Sequence, residues 1–131
     1  MKSFTSVAVL VLLLLVGTGC GKDGTTTPSA ACASSPLVGT WQRTQTQSGT
    51  TITESLEFKA DCKFVLSYCC QGPDCAEQGC ETEDDMTFED RGGTVRLAGH
   101  PGGEVNELPY AIVGNQITVQ WDEGAQTYQR Q

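Results

Sequence analysis

From Leu37 onward the apolar residues of this chain recur at every second position, and no window of twelve residues carries a helical stripe. Successive side chains of a strand point to opposite faces, so a period of two means strands with one face buried. Ile52, Leu56 and Phe58 share a face, with Thr51, Thr53, Ser55 and Glu57 on the other; Glu54 is the one polar residue on the apolar side. After the turn Lys59-Ala60-Asp61-Cys62, Phe64, Leu66 and Tyr68 repeat the alternation. Tyr110 and Ile112 are followed by Gly114-Asn115 and then Ile117, Val119 and Trp121, a hairpin with a two-residue loop suited to positive φ. Further strands are expected at Val38 to Thr46, Met86 to Glu89, Thr94 to Ala98 after Gly92-Gly93, and Ala125 to Arg130 after Asp122-Glu123-Gly124. That makes about eight short antiparallel strands, which can form a closed meander barrel or a sandwich.

The N-terminus is of a different kind. Lys2 precedes an unbroken apolar run, Val7 to Val16. As a helix that run reaches only about 15 Å, half a bilayer core, so residues 1–19 read as a signal peptide and not as a spanning helix. Gly17, Thr18 and Gly19 lead directly into Cys20. The layout resembles the lipobox of bacterial lipoproteins, whose Cys carries lipid and begins the mature chain; Gly17 stands where that pattern usually has an aliphatic residue. Ordinary cleavage after a small residue is the alternative. Cysteine parity favours Cys20 as the lipid site, because the chain has seven cysteines and lipid on one leaves six to pair. Two acyl chains also meet the two-signal requirement for stable anchoring.

Residues 20–36 follow as the lipidated Cys and a Gly, Ser, Thr, Ala and Pro tether too poor in apolar bulk to fold by itself. The domain is expected over residues 37–131. It holds five of the disulfide candidates, Cys62, Cys69, Cys70, Cys75 and Cys80, and Cys32 lies in the tether. In a short exported chain such cysteines read as a disulfide framework. Cys69 and Cys70 are adjacent and face opposite sides of a strand, so they should take different partners. One of them with Cys75 or Cys80 would staple the Gln71 to Gly79 loop, and Cys32 or Cys62 would clip the tether to the domain. A thiolate metal site is the competing reading. It lacks a Cys-x-x-Cys pair, and the only histidine, His100, sits in a Gly/Pro loop. The expectation is no metal and no cofactor.

Leu37-Val38-Gly39-Thr40-Trp41 opens the first strand, Leu56-Glu57-Phe58 and Asp61-Cys62-Lys63-Phe64 follow, and Tyr110-Ala111-Ile112 begins the closing hairpin. These motifs resemble those of small bacterial lipoproteins with a lipocalin-like domain, with Cys62 where that pattern has glycine. The resemblance covers residues 37–131. It implies an up-and-down barrel in which Gly39 bends the first strand, Trp41 plugs the closed end, and Arg130 of the last strand lies on the Trp41 ring. It also implies a small ligand or a structural role in the envelope. At this length, however, eight strands enclose little beyond their own side chains.

Removing residues 1–19 leaves seven basic residues against 16 acidic, a net charge of −9. Such a surface repels phosphate backbones, so no nucleic acid is expected as a partner. Glu81, Glu83, Asp84 and Asp85, with Asp74, Glu77, Glu89 and Asp90 nearby, form an acidic patch with no interspersed Lys or Arg; a solvated loop is the expectation, because the spacing matches no calcium loop. With one His and no nucleophile motif, a catalytic set lacks its parts. The sequence therefore reads as a non-enzyme: a monomeric barrel anchored through Cys20 on the bacterial cell envelope, at the outer membrane, periplasmic or surface-facing. It would bind a small apolar ligand or serve as a structural module. The alternative is a barrel that binds a protein through a rigid loop, for example as a protease inhibitor.

Overall fold

The computed structural model describes residues 30–99 and 104–131. Cys20 and His100 lie outside them. Eight strands run β1 (Gly39–Gln47), β2 (Thr50–Phe58), β3 (Lys63–Gln71), β4 (Gly79–Asp90), β5 (Thr94–Ala98), β6 (Val105–Val113), β7 (Gln116–Trp121) and β8 (Gly124–Arg130). Each pairs antiparallel with its neighbour in sequence, and β8 pairs back onto β1 through Trp41 with Arg130 and Gln42 with Gln129. The barrel is closed, so it presents no outer edge strands. Of the two architectures left open by the period of two, the up-and-down barrel is the one formed.

Alternation decides what faces in. Trp41, Leu56, Phe58, Phe64, Phe88, Val95, Leu108, Ile117 and Tyr128 are buried inside. The outward positions carry hydroxyls paired across strands: Thr44 with Thr53, Thr46 with Thr51, Ser67 with Thr82, Thr118 with Thr127. A membrane-spanning barrel has an apolar outer band. These outward positions are polar.

Two departures from the sequence expectation have local causes. The acidic stretch expected as a solvated loop is the first half of β4, held to β3 by Leu66 opposite Glu83, Tyr68 opposite Glu81 and Cys69 opposite Cys80. Between Phe64–Met86 and Leu66–Glu83 the register slips, with Asp84 and Asp85 opposing the single Val65. This bulge changes the parity of the strand. It lets Glu81 and Glu83 face inward above it while Met86 and Phe88 face inward below it.

The second departure is the cap. Residues 30–36, expected as tether, fold onto one end of the barrel. Ala30–Ala33 forms a single helical turn, and Cys32 and Ser35 are buried with Leu37. The Cys32–Cys62 disulfide ties this cap to the β2–β3 turn. Ser35 Oγ donates to Asp90 Oδ2 at 2.5 Å, and Tyr110 donates to Asp90 Oδ1 at 2.7 Å. Among the described residues no helix is long and apolar enough to cross a membrane.

Candidate functional site

The two ends of the barrel are filled differently. At the capped end Trp41 is fully buried and donates from Nε1 to the Leu37 carbonyl at 2.8 Å. Phe58 lies against Phe64 with the rings tilted at 45° and centroids 4.8 Å apart, and meets Phe88 edge-on at 5.0 Å. Arg130 Cζ lies 4.1 Å from the Trp41 centroid, and its guanidinium donates to the carbonyls of Pro36 and Val38. Gly39 has φ +135°, and a Cβ there would sit 3.0 Å from Arg130 Nη1. Glycine at this position both permits the backbone bend and leaves room for the guanidinium.

Midway along the barrel a polar layer crosses the interior. Arg43 holds Glu54 with two hydrogen bonds, Nε to Oε2 at 3.1 Å and Nη2 to Oε1 at 2.8 Å. Trp121 Nε1 donates to Tyr128 Oη, whose single proton is shared between Glu54 Oε2 and Gln126 Oε1, each 3.2 Å away. Burial, followed by the nearby Glu54 charge, pushes the Tyr128 phenol up to about 12. The Arg43 guanidinium is held above its ordinary value by its bond to Glu54. Glu54, the polar residue on the apolar face of β2, is explained by this pair. Arg43 one strand away was the signal for it, but only the register that sets Arg43 against Glu54 makes the pairing visible.

Beyond this layer the barrel is open. An outer cavity of about 860 Å³ is lined by Gln45, Gln47, Ile52, Tyr68, Glu81 and the segment Asp74–Cys80. Tyr68 is 40% exposed there. A second cavity of about 240 Å³ is lined by Leu66, Met86, Leu97, Trp121, Glu83 and Glu104, among others. The expectation that the strands enclose little beyond their own side chains describes the capped end, whereas this end keeps the two cavities.

The rim beside the mouth is stapled twice. Cys69 joins Cys80 across β3 and β4, and Cys70 joins Cys75 within the connecting loop. The adjacent cysteines thus take different partners, and the bond from Cys70 faces the interior while that from Cys69 faces out. Thr50 Oγ1 adds a third tie, accepting from the Asp74 amide and donating to the Asp74 carboxylate. Two members of the expected acidic patch do not belong to it. Glu89 is paired with Arg91 and Arg96, and Asp90 serves the cap. No group of three or more His, Cys, Asp or Glu side chains among the described residues could hold a metal ion.

Comparison of the chain with protein-family models, with curated proteins and with solved structures returns no match.

Proposed function

We propose that this chain is a membrane-anchored lipoprotein of the bacterial cell envelope whose lipocalin-like barrel binds a small ligand at its open end and catalyses no reaction. The observation that carries the binding part is the asymmetry of filling. One end is packed with aromatic side chains and capped, while the other keeps about 860 Å³ open above a polar floor. A purely structural barrel gains stability from filling both ends, and leaving Ile52, Tyr68 and Trp121 uncovered forfeits apolar burial. Three disulfides fit an oxidising compartment, and the Cys20 context fits lipid attachment there, with the polar outer wall facing water. The monomeric barrel would stand clear of the membrane on the residues after Cys20.

A fragment titration followed by backbone amide shifts tests the binding part. Single-ring compounds should move the signals of Gln45, Ile52, Tyr68 and Glu81 and leave Leu37 and Trp41 unmoved. If no compound moves the mouth at millimolar concentration, the envelope-module reading replaces it. Palmitate labelling of wild type and Cys20→Ala tests the anchor; label retained by the variant removes it.

A second reading, a barrel that grips a protein partner such as a protease through a rigid loop, is favoured by the doubly stapled segment from Gln71 to Gly79. Protein binding confined to that loop would select it.

A further inference from the structure

We infer that the ligand of the open end is a neutral saccharide of about two rings, held in the outer cavity by the Tyr68 ring and the amides of Gln45 and Gln47. The inference rests on the binding function proposed above and names its ligand class.

Consecutive strands bring these groups together. Gln45 on β1 opposes Ile52 on β2, which opposes Cys70 on β3, and one step deeper Glu54 opposes Tyr68. Gln45, Gln47, Ile52 and Tyr68 all line the outer cavity of about 860 Å³. Residues two apart on a strand stand about 7 Å from each other and neighbouring strands about 5 Å, so from the glutamines of β1 to Tyr68 on β3 this wall measures about 7 Å by 10 Å. That is the extent of two hexose rings.

The wall is already held in shape. The Cys69–Cys80 and Cys70–Cys75 disulfides close the rim, and Gln78 Nε2 donates to the Gly72 carbonyl. A Cβ at Gly72 would lie 2.6 Å from Thr50 Cα, so the loop rests directly on the start of β2. A preformed site loses little ordering entropy when it binds.

The chemistry of the wall then selects the ligand. Tyr68 is 40% exposed and supplies the one aromatic ring among the described residues that line this cavity. The amides of Gln45 and Gln47 and the Tyr68 hydroxyl make no hydrogen bond to a described residue. Each amide offers donors and an acceptor at once, and a sugar hydroxyl likewise both gives and takes. A hexose also has a face of C–H groups, which an aromatic ring can cover. A purely apolar ligand would strip water from both amides and return no hydrogen bond, while an open-chain polyol would leave the ring uncovered. Only a molecule with an apolar face and hydroxyls at its edge uses both.

The test uses the full chain carrying Cys20→Ala, with its disulfides intact, so that neither lipid nor detergent competes. Calorimetric titration compares maltose, cellobiose and N,N′-diacetylchitobiose with cyclohexylmethanol, which has a ring and one hydroxyl, and with glycerol, which has hydroxyls and no ring. At least one disaccharide should bind about tenfold tighter than cyclohexylmethanol and glycerol, independently of salt, and its C–H proton signals should move upfield under the Tyr68 ring. Tyr68→Ala should weaken that disaccharide about tenfold and Tyr68→Phe by less than about threefold, and Gln45→Ala together with Gln47→Ala should weaken it about tenfold. If a variant does not fold, the probe order and the upfield shifts on the unsubstituted wall decide. Tightest binding of cyclohexylmethanol, or a disaccharide indifferent to Tyr68→Ala, overturns the saccharide while leaving a binding mouth. Absence of binding by every probe overturns the mouth as well.

Discussion

Arg130 and Trp41 are paired in register across the seam that closes the barrel, and the guanidinium lies 4.1 Å from the indole centroid while donating to Pro36 and Val38. One side chain thereby joins the last strand, the first strand and the cap. Because Arg130 is exposed, its cation–π contact is worth only about 0.5–1 kcal/mol. Arg130→Ala should therefore destabilise the domain by about 1–2 kcal/mol once the two carbonyl hydrogen bonds are included. Arg130→Lys, which lacks the planar fork, should recover less than half of that in urea unfolding. Gly39→Ala should cost as much as Arg130→Ala or more, because φ of +135° strains any side chain and the new Cβ presses on Nη1.

The three disulfides should rank by the loops they close. Chain-entropy estimates give about 3.6 kcal/mol for Cys32–Cys62, about 2.8 for Cys69–Cys80 and about 2 for Cys70–Cys75, from separations of 30, 11 and 5 residues. Paired replacement with alanine, read by thermal unfolding, should reproduce that order. Cys62 also occupies a left-handed conformation, φ +68°. Cys32→Ala with Cys62→Gly should thus be about 1 kcal/mol more stable than Cys32→Ala with Cys62→Ala. If the two variants match, no strain resides at that turn.

The polar layer makes a sharper prediction. Tyr128→Phe leaves the Trp121 N–H without its acceptor and removes one donor to Glu54, so it should cost about 1–2 kcal/mol despite being nearly isosteric. Arg43→Met should cost more, since it leaves the mostly buried Glu54 carboxylate without its counter-charge and with only the Tyr128 hydrogen bond. A Tyr128→Phe variant as stable as wild type would show that the layer contributes nothing.

Stability should fall at both extremes of pH. Burial pushes the Asp90 carboxyl up, but hydrogen bonds from Ser35, Tyr110 and the Gly92 amide outweigh it and hold the carboxyl below its ordinary 3.8. A depressed folded value means the contribution is complete above the unfolded value and is lost as pH falls through the folded one. Asp90→Asn should flatten that acid limb. Tyr110, raised by burial and by its bond to Asp90, and Tyr128 are both pushed up to about 12. Their contribution is present below 10 and disappears as pH rises toward 12, and ultraviolet titration should show both phenols ionising only there or on unfolding.

Much of the barrel was legible because its strands alternate without interruption. The Gly114-Asn115 hairpin pairs Ile112 with Ile117 as the alternation requires, and Lys59 to Cys62 form a turn. Alternation failed at β4, where the bulge at Asp84-Asp85 switches parity and hides an inward pair of glutamates among outward ones. At the cap the cysteines were legible, since Cys32 or Cys62 was expected to clip the tether to the domain and the two are joined, but the folded turn was not. Residues 30–36 have little apolar bulk, and the hydrogen bond from Ser35 to Asp90, 55 residues away in sequence, is not a local signal. The open end was hidden too, because Gln45, Gln47 and Glu81 read as solvated positions until closure of the barrel turns them toward a common space.

The claim that matters most is that a small molecule sits inside the open end. Intermolecular proton contacts by NMR, measured with the tightest-binding single-ring fragment on the Cys20→Ala chain, address it directly. The account predicts that a ligand held in the open end gives contacts from its ring protons to Ile52 and Tyr68, which line the outer cavity. Contacts confined to the outer wall or to the exterior of the Gln71 to Gly79 loop would contradict it.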